Sequence, residues 1–152
     1  MLTFLADVVW PALFLEMRLL AWWVIAIGLL VEWPFVRFLT HFTWRKSFIA
    51  DAAMNAVSTI IGIILLPAAG IAWEYFADAT FYPRFGLHTF NPIAWTATFL
   101  IAVALSAVIE LFVLRFAFKQ RLRFRSFCWL YLANSLSAGL AFWSIFRYPV
   151  RT

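Results

Sequence analysis

Charge is the scarcest commodity in this chain: only 12% of its 152 residues are Asp, Glu, Lys or Arg, about half the share a soluble domain carries. The hydrophobic fraction is 66% and the mean hydropathy +0.92, more apolar matter than a short chain can hide, because small domains keep a large surface for their volume. A water-soluble globular fold is excluded; the solvent is lipid. Cysteine is nearly absent too. Cys128 stands alone, so it closes no intramolecular disulfide and reads as a small packed hydrophobe. The two histidines, His41 and His88, fall in loops expected on opposite sides of the membrane, which leaves neither a haem ligand pair nor a zinc cluster. The five glycines, Gly28, Gly62, Gly70, Gly86 and Gly139, are scattered and form no phosphate-cradling loop. The net charge of +5 comes from ten arginines and two lysines against seven acids. Because these cations sit in short loops and not on a solvated face, membrane orientation explains them and nucleic acid does not.

What is there is a succession of apolar stretches. Residues 52–73, 85–109 and 126–146 carry no charge, and residues 19–38 are apolar except for Glu32 and the loop-edge Arg37; each is long enough to cross a hydrocarbon core of about 30 Å. Trp22 and Trp23 near the start of the first stretch suit an interfacial aromatic belt. The expected fold is therefore an all-α integral membrane protein of four transmembrane helices, built as two tandem-duplicated hairpins. A short interfacial helix is expected to precede them, since residues 1–17 lack the basic start and cleavage site of a signal peptide. The expected division is an interfacial segment at 1–17, a first repeat at 18–73, a periplasmic aromatic loop at 74–92 and a second repeat at 93–152. Arg37, Arg45 and Lys46 lie in one loop, and Arg115, Lys119, Arg121, Arg123 and Arg125 in another. Positive residues are retained on the cytoplasmic side, so both loops should face the cytoplasm and both termini the periplasm of a bacterial inner membrane.

The duplication rests on rare letters. An offset of 78 residues aligns Glu32 with Glu110, Arg37 with Arg115 and Phe38 with Phe116; one extra loop residue then makes it 79, aligning Lys46 with Arg125, Ser47 with Ser126, Asn55 with Asn134 and Ser58 with Ser137. Apolar matches would be cheap coincidences in this composition. Two helical Glu and two of only three Asn are not. A two-helix repeat enters and leaves on one side, which predicts a pseudo-twofold axis along the membrane normal.

Each of these glutamates lies five residues, or about 7.5 Å of helical rise, inside the arginine that ends its helix. Asn and Ser at i and i+3 share a helix face, so Asn55 with Ser58, and Asn134 with Ser137, are expected to reach the Glu of their own hairpin. Asp51 extends the first face by a turn, and its counterpart is Leu130. In one reading this intramembrane polar layer is glue, with each Glu neutral or neutralised by arginine and bonded to Asn and Ser. In the other it is proton-linked, since carboxylates at membrane depth are costly and often mark ion pathways.

Aromatic residues make up 20% of the chain and give it a broad lateral surface suited to lipid or pigment, with no cofactor predicted beyond that. Tyr75, Phe76, Phe81, Tyr82, Phe85 and Phe90 could dock a partner on the periplasmic side, as aromatics are enriched at interface hot spots. The spacing of Ala133, Ser137 and Ala141 offers a small-residue stripe to another helix. Lacking catalytic groups and extramembrane domains, the chain reads first as a non-catalytic accessory, assembly or scaffold subunit of a larger bacterial inner-membrane complex, with other membrane subunits or its own copies as partners. The second reading is a small oligomeric proton-coupled transporter or channel that uses the Glu/Asn pairs. An intramembrane enzyme with Glu32 or Glu110 as acid or base ranks third.

Overall fold

The computed structural model describes residues 19–85, 92–121 and 123–147, without the side chains of residues 145 and 146. The interfacial segment expected at 1–17, together with His88 and Phe90, lies outside the described residues. Within them the chain is helical and contains no strand. Its elements are α1 (Trp22–Thr40), α2 (Trp44–Thr80), the short α3 (Tyr82–Phe85), α4 (Pro92–Phe116) and α5 (Phe124–Arg147). Three of these, α1, α2 and α4, are long and apolar enough to cross a membrane, as in a multi-pass membrane protein. Helix α5 has the length for a crossing, but Asn134 and four serines dilute its hydropathy. Asn134, Ser137 and Ser144 among them are turned inward.

Helices α1 and α2 turn back on each other within three residues. The turn is legible in local chemistry. His41 takes a left-handed conformation (φ 55°, ψ 24°) and its N–H donates to the Arg37 carbonyl at 2.9 Å; His is one of the side chains that tolerate this region. Thr43 then caps α2 by accepting from the Lys46 N–H at 3.4 Å, which satisfies one of the donors a helix start leaves open. The Arg37 guanidinium donates to the Phe42 carbonyl at 2.7 Å and lies 4.2 Å over the Trp44 ring. Trp33 Nε1 donates to Ser47 Oγ at 3.0 Å, fastening the hairpin close to its turn. At the end of α4, Lys119 also has φ 55°, 78 residues after His41.

The four long helices close into a ring. Helix α1 packs on α2 and α5, α4 packs on the same two, and the backbones of the diagonal pairs stay apart among the described residues. Val36, Ala50, Met54, Ala107, Leu114 and Leu130 form the core at the end that carries the basic turns. Leu66 and Ala102 centre a second cluster further along, and Ala77, Tyr82 and Ala94 a third at the opposite end. Polar side chains occupy the level between the first two clusters.

Helix α2 is longer than expected. The segment from residue 74 was anticipated as loop, yet the helix continues to Thr80. Glu74 is tolerated there because it is buried against the Tyr82 hydroxyl, which donates to Glu74 Oε1 at 3.1 Å. At about 1.5 Å per residue, a helix of 37 residues extends well beyond the hydrocarbon core.

Candidate functional site

Two Asn–Glu hydrogen bonds define the polar layer. Asn55 Nδ2 donates to Glu32 Oε2 at 2.8 Å, joining α2 to α1, and Asn134 Nδ2 donates to Glu110 Oε2 at 2.7 Å, joining α5 to α4. Glu32 is 3% exposed, Glu110 1% and Asp51 0%. Three carboxyl groups are thus removed from solvent within one membrane-depth layer, where an unpaired charge would be expensive. Arg37 does not neutralise Glu32: its guanidinium is engaged at the turn with the Phe42 carbonyl and the Trp44 ring. The partners of Glu32 are an amide and a hydroxyl.

That hydroxyl belongs to the other hairpin. Ser137 on α5 hydrogen-bonds Glu32 Oε1 on α1, whereas the sequence pattern had placed it with Glu110. Sharing a helix face with Asn134 fixes where Ser137 points but not which neighbour it meets, and α5 packs against α1 as well as α4. Gly28 lies beside this contact, where a Cβ would stand at an ordinary contact distance, 3.7 Å, from that of Ser137. Ser58, the counterpart of Ser137, donates instead to the Asn55 carbonyl of its own helix at 3.2 Å. Among the described residues, Glu110 Oε1 and Asp51 Oδ2 are buried without a hydrogen-bond partner.

Ser137 also lies 3.2 Å from the Asn134 carbonyl, and one hydroxyl carries one hydrogen. With Glu32 ionised, Ser137 donates to the carboxylate. With Glu32 protonated, the acid O–H donates to Ser137 Oγ and the serine hydrogen turns to the Asn134 carbonyl. Both protonation states of Glu32 therefore keep their bonds with no heavy atom displaced.

A cavity of about 400 Å³ adjoins this layer, with Glu32, Asn55, Ser58, Asn134 and Ser137 at its polar side. Its other walls are largely apolar and include Val24, Ile25, Ile60, Ile63, Leu66 and Val103. The volume falls in the range of small-molecule sites. Glu110 and Asp51 do not line it. Nothing in the sequence reading anticipated a cavity; the available signal was the set of small residues Gly28, Ala56 and Gly62, which line it on facing stretches of α1 and α2.

The remaining expected positions divide. Arg37, Arg45 and Lys46, and Arg115, Lys119, Arg121, Arg123 and Arg125, gather at one end of the bundle, where Phe35 and Phe38 of α1 pack against Trp129 of α5 and Phe42 meets Phe118 across the turns. In the aromatic set, Tyr75, Phe76, Phe81 and Phe85 are exposed. Tyr82 is not: it is part of the core, drawn inward by its bond to Glu74. Cys128 was expected to be packed but is exposed on α5, where a small apolar side chain costs nothing against lipid. The stripe of Ala133, Ser137 and Ala141 is buried within the bundle, so it serves internal packing and is closed to an outside helix.

Comparison of the chain with protein-family models, with curated proteins and with solved structures finds no significant match.

Proposed function

We propose that this chain is a four-span bacterial inner-membrane protein that carries a proton-linked pathway for a small solute, as an oligomeric transporter or channel. The observation that carries the reading is Glu32, which lines a membrane-depth cavity and keeps both carboxyl oxygens paired whether or not it holds a proton. A group that only glued helices would not need to border a void. Intramembrane carboxyls on cavities are the usual stations of proton pathways. In this reading α5 is the fourth span, its polar face spent on the cavity, and the two hairpins descend from one duplicated unit. Matched Asn–Glu bonds and matched left-handed turns at His41 and Lys119 support that descent. The basic turns face the cytoplasm and both termini the periplasm.

The test is proton movement into liposomes loaded with a pH-sensitive dye, driven by a potassium diffusion potential. Protein-dependent acidification, lost in Glu32→Gln while the variant stays folded, is the expected outcome. Rates equal to those of protein-free liposomes would overturn the conducting form of the reading.

An accessory subunit of a larger complex is the second reading, favoured by aromatic surface facing outward. Phe112 and Phe116 stack at 5.8 Å on the exposed side of α4, and Trp73, Phe76 and Phe81 cluster at the end of α2. Native mass after mild extraction separates the two readings, since a subunit travels with partners at fixed stoichiometry.

A further inference from the structure

The cavity has an orientation that the acidic layer alone does not reveal. On the α4 and α5 side its lining residues, among them Ala102, Val103, Asn134 and Ala138, are buried, whereas on α1 and α2 Leu20, Ile25, Ile60 and Ile63 line it while remaining exposed on the outside of the bundle. The open side thus lies between the two helices of the first hairpin and faces lipid. A guest that uses it arrives from the bilayer and must be partly apolar.

Charge narrows the guest further. Among the described residues the lining contains one carboxyl group and no lysine or arginine, which disfavours an anion. The polar side of the lining presents the Glu32 carboxyl with the side-chain oxygens of Asn55, Asn134, Ser58 and Ser137, all of which can accept from a hydrogen-bond donor. An alkali ion would require a close cage of oxygens, and walls of Leu, Ile, Val and Ala do not supply one. An uncharged guest could bind only while Glu32 stays protonated, because its carboxylate would otherwise lie buried without a counter-charge. A cationic guest removes that constraint: it replaces the proton, and the net charge of the site is the same before and after.

Resting on the proton-linked reading above, we infer that this cavity binds a membrane-partitioned organic ammonium ion, a primary alkylamine, in exchange for the proton of Glu32. The step balances as Glu32 carboxylic acid plus alkylammonium giving the carboxylate–alkylammonium pair and one proton released to the aqueous phase. No covalent bond other than that O–H is broken. The ammonium hydrogens face Glu32 and the side-chain oxygens of the Asn55 and Asn134 amides, while the alkyl chain lies along Ile60 and Ile63 toward lipid.

The experiment is titration calorimetry of the full chain in maltoside micelles with decylamine, decanol and decanoate, repeated in buffers of different ionisation enthalpy so that released protons are counted. Saturable decylamine binding with about one proton released per amine, and weaker binding of the other two by roughly tenfold or more, the size of one charge-assisted hydrogen bond, is expected. Glu32→Gln should abolish the proton release. Gly62→Leu provides a second test independent of the carboxyl: a Cβ at Gly62 meets no atom within 4 Å, so the added bulk enters open space, and amine binding should fall while the fold is kept. Equal affinity for decanol or decanoate, or amine affinity unchanged in both variants, overturns the inference. Proton flux in liposomes without saturable amine binding overturns it while leaving the proton-linked reading intact; amine binding without proton release overturns the exchange and removes the support that reading draws from Glu32.

Discussion

Glu32 and Glu110 are the same residue at matched positions, held by the same asparagine bond at 2.8 and 2.7 Å, yet their surroundings differ. Glu32 borders a cavity and has a partner for each oxygen, the second supplied by the opposite hairpin. Glu110 is sealed, and one of its oxygens has no partner. Beside Glu32 the first hairpin carries Asp51, where the second has Leu130, buried in the apolar core. What separates the two glutamates is access: Glu32 borders the cavity, and Glu110 does not.

The largest expected effect tests that access directly. A hydrophobic carbodiimide, which enters from lipid and reacts with protonated carboxyls, should modify Glu32 at least about tenfold faster than Glu110, since a buried group without a cavity must wait for local opening. Mapping the adduct by mass spectrometry checks it, and equal labelling would erase the contrast. The next effect is on stability. Asp51→Leu installs the residue of the second hairpin; it gives up the long 3.3 Å bond that Asp51 Oδ1 accepts from Asn55 Nδ2, but removes a buried oxygen without a partner, so the unfolding midpoint in detergent should rise, by a gain of about 1 kcal/mol. A fall would mean that the fold depends on the bond between Asp51 and Asn55. The smallest effect compares the serines. Ser137→Ala loses a bond between hairpins and should cost about 0.6–2 kcal/mol. Ser58→Ala loses only a bond within its own helix and should stay within about 0.5 kcal/mol of the parent. Equal costs would show that the asymmetry of the layer does not persist in the membrane.

Much of this arrangement is legible in the letters. Glu32 with Asn55 and Glu110 with Asn134 follow from counting residues outward from a basic turn, because helical rise is uniform and a short turn makes both legs share a depth. The helical character of the segments follows from apolar length. Other features depend on neighbours that no spacing rule names. The Ser137 contact with Glu32 crosses between hairpins and requires knowing that α5 lies beside α1. Glu74 looks like the start of a polar loop until Tyr82, eight residues on, supplies its hydrogen bond. Tyr82 looks like docking surface for the same reason. The cavity is the least legible feature, since a void is a property of how helices diverge and leaves only small residues as its trace.

The fastenings between α1 and α2 have a mechanical consequence. Among the described hydrogen bonds joining these two helices, Trp33 to Ser47 lies close to the turn and Glu32 to Asn55 lies furthest from it; beyond that pair the helices are joined by apolar contact alone. Asn55 is thus a fulcrum, and the length of α2 from there to Ile63 is a lever of about 12 Å. A rotation of about 10° about that point displaces Ile63 by about 2 Å, close to the radius of a methyl group. The same rotation carries Ser47, eight residues to the other side of Asn55, an equal distance the opposite way, so the lipid-facing mouth of this bundle can change width only by stretching the Trp33–Ser47 bond.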